Sequence, residues 1–490
     1  MARIFSRLLD PPKKTFLLLG PRGTGKSTWL AKHFPRAVRI DLLHTEQLYR
    51  YRSNPSLLRS DLSGLRAGEW AVIDEAQKVP DLLDEIHGLY EARRINFAIT
   101  GSSARKLRRA DVNLLGGRAI RCDFFPLAWA EIKQASFLDT CLAYGTLPPV
   151  LTDPAHAADT LASYVGTYLQ EEIAAEALTR NVQPFARFLQ VAAKHHAQVL
   201  NVERVAQQAA IKRRTVDTYF EILEDTLLGL RLPAYRPGLR SKEVAHPKFY
   251  FFDAGVARAA AGWIRETMPD EWRGFSFETL VLGELRAFNS YRRKDKRLFH
   301  YSVTGAFDID FVVETQKKVL NRPGRFVAIE AKASSQWRSE WNRPLAMIAE
   351  HGAIDAAYGV YLGKKTSVND AVTVLPFAEF RRRLWAGDIV RRRRRHRRVH
   401  RRQPLTRCQK TAPQLAAWLE EKSRKPSPSF GYLPPTGGGS ERPTGSSDST
   451  RRSNEGRGSQ RSSRTRPRSC DLPLPYSQRS VTIGKPNVPT

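Results

Sequence analysis

The chain has 490 residues, with 80 Lys or Arg against 49 Asp or Glu and a formal net charge of +31 at pH 7, and a chain of this length is expected to form about two or three domains. Its four cysteines include no Cys-x-x-Cys pair, so neither a zinc site nor a disulfide framework is predicted. Because it shows neither an apolar leader nor a run of about eighteen apolar residues, we expect a cytoplasmic protein without an export signal, a membrane span or a membrane partner.

The first predicted strand is followed by a glycine-rich loop that opens a helix. The loop and its continuation consist of Gly20, Pro21, Arg22, Gly23, Thr24, Gly25, Lys26, Ser27 and Thr28. Gly20, Gly25, Lys26 and Ser27 have the spacing of a P-loop, in which backbone N–H groups surround phosphates, the lysine contacts the β and γ oxygens and the hydroxyl holds Mg²⁺. The sequence therefore predicts that residues 20–28 bind a nucleoside triphosphate, with Ser27 as a Mg²⁺ ligand.

A second apolar strand, residues 71–74, ends in the acid pair Asp74 and Glu75. In P-loop ATPases the first acid holds Mg²⁺ through its water shell and the second polarises the attacking water, and we predict these roles here. Two acids at a strand end also occur in solvated turns, but the upstream loop favours the catalytic interpretation. ATP is predicted rather than GTP, because the chain has no Asn-Lys-x-Asp motif.

Two further residues are candidates for catalysis. Ser102 follows the apolar strand at residues 97–100 and is predicted to hydrogen-bond the γ-phosphate, with an ordinary turn serine as the alternative. Arg118, after Gly116 and Gly117, is a candidate arginine finger for a neighbouring subunit's γ-phosphate, with a surface arginine as the alternative. Short strands alternating with helices over residues 1–130 predict an α/β domain with a parallel sheet.

The next two segments are predicted to be helical. Residues 131–197 form a connector, in which Tyr164, Tyr168, Glu171 and Glu172 lie on a predicted bridge or lid. Residues 198–246 are typical of a winged helix, because Val216, Tyr219, Phe220 and Leu223 follow helical spacing after a shorter apolar helix. Its second helix begins with Lys212, Arg213 and Arg214, where such folds contact DNA. The acidic residues that follow would repel phosphate, so DNA binding and domain packing remain alternatives.

Residues 247–387 are predicted to form a third domain with three acidic positions on three elements. Glu278 lies in a helical segment, Asp310 on a strand, and Glu330 and Lys332 on a later strand whose alternation puts both on one face. Carboxylates that hold Mg²⁺ beside a lysine are typical of metal-dependent phosphodiesterases. We expect these four side chains to converge in one pocket, with a structural remnant of solvated or salt-bridged acids as the alternative.

The remaining segment, residues 388–490, has a different composition. Residues 391–490 hold 24 Lys or Arg and 6 Asp or Glu, begin with an arginine run over 391–402, and continue rich in Ser, Arg, Pro and Gly. Such a segment has too few large apolar residues to bury a core and is predicted to be disordered. A nucleic-acid-binding arm and a tail without selected function are the two alternatives.

With these residues in place, the chain resembles the prokaryotic AAA-family ATP-binding proteins that carry the C-terminal domain of unknown function 4143. The resemblance covers about residues 10–385 and rests on the loop at 20–27, the acid pair with the residues to 77, and the segments at 100–103, 115–118, 125–127, 144–148, 168–173, 223–226 and 249–255. The last part is similar to the PD-(D/E)XK nuclease fold, with Glu278, Asp310, Glu330 and Lys332 at matching positions. The resemblance implies an AAA-like ATPase domain, a winged helix and a restriction-endonuclease-like domain.

The favoured interpretation is a Mg²⁺-dependent, ATP-hydrolysing switch whose nucleotide state repositions the C-terminal module, with DNA as a candidate partner. One alternative is a metal-dependent nuclease that the ATPase half gates. The other is a docking platform without its own chemistry, for which nucleotide regulates assembly with a second copy or another protein.

Overall fold

The computed structural model describes residues 4–103, 118–169, 182–236, 245–304, 306–320, 322–350, 352–369 and 371–391. All of them belong to one unit, Met1–Arg398. The predicted tail beyond residue 391, the pair Glu171 and Glu172, and residues 114–117 before Arg118 lie outside the described residues. Within the described part, no helix is both long and apolar enough to cross a membrane.

The N-terminal part is built on a sheet of five parallel strands in the order β2-β3-β4-β1-β5. Its elements are β1 (Phe16–Leu19), α1 (Lys26–His33), β2 (Val38–Asp41), α2 (Thr45–Ser53), α3 (Leu57–Asp61), β3 (Trp70–Asp74), α4 (Leu82–Arg93), β4 (Asn96–Gly101) and β5 (Ile120–Asp123). Strands β1 and β4 are apolar runs with almost every residue buried, as expected where helices cover both faces of a parallel sheet. The predicted α/β fold class with a parallel sheet is confirmed.

A helical segment follows the sheet. It comprises α5 (Trp129–Ile132), α6 (Leu138–Tyr144), α7 (Pro148–Thr152), α8 (Ala157–Ser163), a π-helical segment Tyr164–Leu169, and α9 (Val182–Lys194). The Tyr164 hydroxyl donates a hydrogen bond to the Arg22 carbonyl at 3.2 Å. This segment therefore packs against the glycine-rich loop.

Two helices are present in the segment that was predicted to form a winged helix, and the winged-helix assignment itself stays a prediction. The segment contains β6 (Gln198–Val199), α10 (Val202–Ala209), α11 (Arg213–Asp225), β7 (Gly229–Leu232) and β8 (Lys248–Phe251). Helix α11 buries the predicted stripe of Val216, Tyr219, Phe220 and Leu223. Strand β8 pairs antiparallel with both β6 and β7, so the domain boundary predicted after residue 246 divides this sheet. Strand pairing joins residues distant in sequence, and local periodicity does not reveal it.

The C-terminal part is a mixed sheet of six strands in the order β13-β14-β12-β11-β10-β9. Its elements are α12 (Ala254–Ala260), α13 (Asp270–Tyr291), β9 (Leu298–Val303), β10 (Phe307–Gln316), β11 (Arg325–Lys332), α14 (Asn342–Ala349), β12 (Ile354–Tyr361), β13 (Ser367–Asn369), β14 (Val372–Pro376) and α15 (Phe377–Ala386). Helix α13 packs its middle against this sheet. At its end, Ala287 and Tyr291 join the apolar cluster of Phe16, Trp29 and Phe124 in the N-terminal part.

The helical segment and the C-terminal part also meet at the start of α12. Asp253 accepts hydrogen bonds from the Val256 backbone at 3.0 Å and from the Thr146 backbone at 2.7 Å. A side chain at Gly255 would bring its Cβ to 2.0 Å from the Tyr144 carbonyl oxygen, so only glycine permits this approach. The segments thus form one packed body within the described residues.

The carboxyl group of Glu284 on α13 predicts a pH-dependent stability. Glu284 is fully buried and accepts hydrogen bonds from the Ala130 backbone at 3.0 Å and from Trp385 Nε1 at 2.7 Å. Burial raises its pKa from 4.5 to about 7. Because the pKa is raised in the folded protein, the stabilisation is complete below about pH 4.5 and is lost as the pH rises through about 7.

In the wild type, Glu284 should lower the free energy of unfolding by about 3 kcal/mol between pH 5 and pH 8, since one pKa unit corresponds to about 1.4 kcal/mol. We expect Glu284→Gln to remove this loss. Urea unfolding at the two pH values measures this loss. The exposed Glu271, changed to Gln, is the matched control and should leave it unchanged. An equal pH dependence in wild type and Glu284→Gln would contradict the prediction.

Candidate functional site

The glycine-rich loop lies at the carboxyl end of β1. The Gly20 backbone N–H donates to the Gly101 carbonyl at the end of β4, at 3.2 Å. A Cβ at Gly20 would lie 2.1 Å from the Phe124 carbonyl oxygen, so the neighbouring backbone leaves no room for a side chain. Gly25 precedes α1 with a φ of 89°, a left-handed conformation that favours glycine. The local geometry thus requires glycine at two of the predicted positions.

The predicted phosphate-binding residues lie together around this loop. The Lys26 ammonium is buried and donates to the carbonyls of Gly20 at 2.7 Å and Pro21 at 3.2 Å. Thr24 donates to the Pro21 carbonyl at 2.7 Å. Ser27 and Thr28 are exposed in the first turn of α1. Arg22 is exposed and Gly23 has a φ of 77°.

The acid pair lies at the end of β3, and Thr100 from β4 holds it in place. Thr100 Oγ1 donates to the Asp74 carboxylate and accepts from the Glu75 backbone at 2.9 Å. Glu75 has a φ of 59°, and such a left-handed conformation costs a non-glycine residue roughly 1–3 kcal/mol. Strain of this kind is concentrated at functional sites. Both acids are buried.

Two side chains contact the Glu75 carboxylate. Gln77 Nε2 donates to Glu75 and to Ser102 Oγ, the latter at 2.8 Å, and Ser102 Oγ lies 3.3 Å from Glu75 Oε2. Gln77 Oε1 is buried and has no hydrogen-bond partner among the residues that the structure describes. The structure therefore brings Ser102 to Glu75. It also adds Gln77, for which the sequence analysis assigned no role.

Arg118 lies elsewhere. Its guanidinium pairs with Glu91 at the end of α4 in the same chain, and this pairing lowers the pKa of Glu91. Reaching a neighbouring subunit would require Arg118 to leave this partner. Its role as an arginine finger stays a prediction.

A cavity of about 370 Å³ adjoins the loop. Residues from four parts of the chain line it, among them Phe5 before β1, Thr28 and Trp29 on α1, Leu127 after β5, and Pro148 on α7. Its volume is in the range of small-molecule sites, and its walls are largely apolar. Phe5 and Pro148 were not predicted as site residues, because they meet α1 only in the folded chain.

Arg7 connects the loop to distant parts of the protein. Its guanidinium donates to the carbonyls of Thr24 at 2.7 Å and Phe125 at 2.6 Å, and to the Tyr291 hydroxyl at the end of α13 at 3.1 Å. It also pairs with Glu131 at 3.0 Å, with side chains 5% and 0% exposed. One buried cation therefore contacts the glycine-rich loop and the C-terminal part.

The structure brings the four predicted C-terminal residues together. Glu278 comes from α13, Asp310 from β10, and Glu330 with Lys332 from β11. Lys332 Nζ lies 2.5 Å from Glu330 Oε1, and the Asp310 backbone N–H lies 3.2 Å from Glu330 Oε2. The four side chains thus belong to one buried cluster, and their predicted role as a functional site stays a prediction. Throughout the described part of the chain, however, no three Asp, Glu, His or Cys side chains are arranged so that they could hold a metal ion.

A fifth residue, Lys248 from β8, also enters this cluster. Its ammonium lies 2.5 Å from Glu278 Oε1 and 3.1 Å from Asp310 Oδ1. Burial, with the nearby Asp310 carboxylate, raises the pKa of Glu278 to about 7. Burial would raise the pKa of Asp310 as well, but Lys248 and Lys332 lower it. Sequence reasoning missed Lys248, which lies before the acidic positions on another sheet.

The basic start of α11 is partly neutralised. Arg213 lies 2.7 Å from Glu203 and 4.0 Å from Asp217. These acids compete with phosphate for the arginine. DNA binding through Lys212, Arg213 and Arg214 stays a prediction, as do oligomer formation and a protein partner.

Comparison with known proteins identifies three segments. Residues 12–133 match the AAA domain family, residues 136–267 match domain of unknown function 8612, and residues 273–380 match domain of unknown function 4143. No curated protein matches the chain. The solved structure of the Aeropyrum pernix Orc1 protein in complex with DNA aligns with 52% of this chain and 87% of that chain, at 14% identity and a TM-score of 0.27. That TM-score is too low to indicate a shared function.

Proposed function

Because the chain carries an AAA domain followed by domain of unknown function 4143, we propose that it is an ATP-hydrolysing switch. ATP binds at residues 20–28, Glu75 activates the attacking water, and the nucleotide state is transmitted to the C-terminal part. This proposal includes Mg²⁺ as the metal that accompanies ATP.

The proposal rests mainly on one observation, which is that the carboxyl ends of β1, β3 and β4 lie next to one another. Strands β3, β4 and β1 are neighbours in a parallel sheet, so their carboxyl ends lie at one edge. The glycine-rich loop follows β1, the acid pair ends β3, and Thr100 and Ser102 end β4. Ligands of open α/β sheets bind at this edge.

The residues present fit Mg²⁺ bound together with a nucleotide. Mg²⁺ keeps several waters and needs only one or two protein ligands beside phosphate oxygens. The Thr100 hydroxyl fixes the Asp74 carboxylate, and the Ser27 hydroxyl is exposed beside the loop. When bound, Mg²⁺ neutralises charge on the β and γ oxygens. Lys26 would exchange its bonds to loop carbonyls for bonds to these oxygens.

Glu75 is the candidate base for water activation. Gln77 and Ser102 hold its carboxylate in a buried position, and Gln77 Oε1, which has no hydrogen-bond partner among the described residues, would accept a hydrogen bond from the attacking water. An ordered base and a second acceptor would together orient a water for attack on the phosphate. The Ser102 hydroxyl would then hydrogen-bond the γ-phosphate when ATP is bound.

The cavity beside α1 supports a nucleoside ligand rather than inorganic phosphate. It adjoins Thr24 and Gly25 of the loop, and the partly exposed ring of Phe5 lines it together with the almost fully buried Trp29. A heteroaromatic base stacks on such rings. The proposal places the adenine of ATP there.

Arg7 supports transmission of the nucleotide state. It bonds both the Thr24 carbonyl of the loop and the Tyr291 hydroxyl of α13. Tyr291 is thirteen residues beyond Glu278 on the same helix, a distance of about 20 Å at the helical rise per residue. A rigid helix thus joins the loop region to the acidic cluster.

The experiment that tests the proposed function is the substitution Glu75→Gln. We expect kcat for ATP hydrolysis to fall by about 10²-fold or more, because general bases contribute about 10²- to 10⁴-fold. The Kd for ATP should stay within about threefold of wild type, since the loop is intact. Turnover and equilibrium binding are measured on the full chain with Mg²⁺.

Glu46→Gln, at an exposed position on α2, is the matched control and should leave both constants unchanged. Absence of ATP turnover in the wild-type protein, or full turnover in Glu75→Gln, would reject the proposal.

A further inference from the structure

The buried cluster at β10 and β11 of the six-stranded sheet contains three carboxylates and two ammonium groups. The carboxylates are those of Glu278, Asp310 and Glu330, and the ammonium groups are those of Lys248 and Lys332. Glu278, Asp310, Glu330 and Lys248 are each less than a tenth exposed. The similar nuclease fold would use such acids to hold Mg²⁺, so the arrangement of the two lysines decides whether a metal fits.

Lys248 occupies the space between two of the acids. Its ammonium lies 2.5 Å from Glu278 Oε1 and 3.1 Å from Asp310 Oδ1, which is direct contact with both carboxylates. A divalent cation shared by these two carboxylates would have to lie between them, where the ammonium group already lies and would repel it. Lys248 therefore excludes a metal by both position and charge.

Other donors also contact these three carboxylates. The Tyr250 hydroxyl donates to Glu278 Oε1, and the Ala331 backbone N–H donates to Asp310 Oδ2 at 2.9 Å. Lys332 and the Asp310 backbone N–H contact the two oxygens of Glu330. Oxygens that already accept charge-assisted hydrogen bonds are poor candidates for metal ligands. The residues present do not fit Mg²⁺.

We infer that the Lys248 ammonium stands permanently in the position of the divalent cation, so that the C-terminal domain works without a catalytic metal. The cation comes from β8, the central strand of the three-stranded sheet, and its acid partners come from α13 and β10. The cluster thus joins the two sheets through a buried ion pair. The inference does not depend on the proposed ATPase function, and it leaves no basis for the metal-dependent nuclease alternative.

Titration of the full chain with Mn²⁺ in the absence of nucleotide tests this inference, with bound Mn²⁺ followed by electron paramagnetic resonance. We expect wild type and Asp310→Asn to bind Mn²⁺ equally, because the wild-type cluster holds no Mn²⁺. Lys248→Met removes the ammonium and keeps most of the side-chain volume. We expect it to gain one Mn²⁺ site, with an affinity at least about tenfold above any in wild type, and the double variant Lys248→Met with Asp310→Asn to lose it.

Lys332→Met is the matched control. It removes a cation from the same cluster but leaves Lys248 between Glu278 and Asp310, so it should gain no site. A folded Lys248→Met protein that binds Mn²⁺ no better than wild type would overturn the inference.

If Lys248→Met does not fold, the comparison of wild type with Asp310→Asn is sufficient to test the inference. Mn²⁺ binding in wild type that is lost in Asp310→Asn, or a melting temperature that Mn²⁺ raises in wild type but not in that variant, would overturn the inference. Equal Mn²⁺ responses of the two proteins support it.

Discussion

Replacing Lys26 with Ala is expected to abolish measurable ATP binding at the concentrations that saturate wild type. Lys26 is the buried cation at the glycine-rich loop, with its ammonium on the Gly20 and Pro21 carbonyls. A charge-assisted hydrogen bond is worth about 1.5–3 kcal/mol, and two phosphate groups would share this lysine. The Kd should therefore rise by about 100-fold or more. Calorimetric titration with ATP and Mg²⁺ measures it.

Lys13→Ala is the control for this variant, because Lys13 is an exposed lysine in the same domain. It should bind ATP as wild type does. Thermal melting without nucleotide checks that Lys26→Ala remains folded. A folded Lys26→Ala protein with an unchanged Kd would show that the loop is not the nucleotide site.

Replacing Arg7 with Met is expected to lower the free energy of unfolding by about 3–5 kcal/mol, the usual effect of removing one partner from a buried ion pair. The substitution leaves the fully buried Glu131 carboxylate without its cation. It also removes donors from the carbonyls of Thr24 and Phe125 and from the Tyr291 hydroxyl. Urea unfolding measures the loss.

The double variant Arg7→Met with Glu131→Gln should recover part of this loss, because no unpaired charge remains buried. Arg36→Met, at an exposed position after α1, is the matched control and should change stability by less than about 0.5 kcal/mol. Equal stability of Arg7→Met and wild type would contradict the role of Arg7 in joining the loop to α13.

Features with a local pattern could be predicted from the sequence. The glycine-rich loop with Lys26 and Ser27 depends on spacing within eight residues, and the acid pair depends on a short apolar strand that ends in Asp74. The stripe on α11 follows helical periodicity. These patterns report which backbone conformation a segment adopts, and each segment adopts it largely for local reasons.

The convergence of Glu278, Asp310, Glu330 and Lys332 was predicted from three elements in a fixed order. The order indicated which residues meet, but it did not show what else enters the cluster. Lys248 lies 30 residues from Glu278 and 62 residues from Asp310 along the chain. Because Lys248 is present, we infer that the cluster is a buried ion pair rather than a metal site.

The sequence by itself determined the parallel α/β class, the glycine-rich loop and the acid pair. Only the tertiary structure decided that Arg7 contacts both the loop and α13, that Gln77 and Ser102 hold Glu75, that β8 belongs to the three-stranded sheet, and that Lys248 pairs with Glu278 and Asp310. The physical reason is that a buried charge requires a partner. The packing of distant segments, rather than the neighbouring sequence, selects that partner.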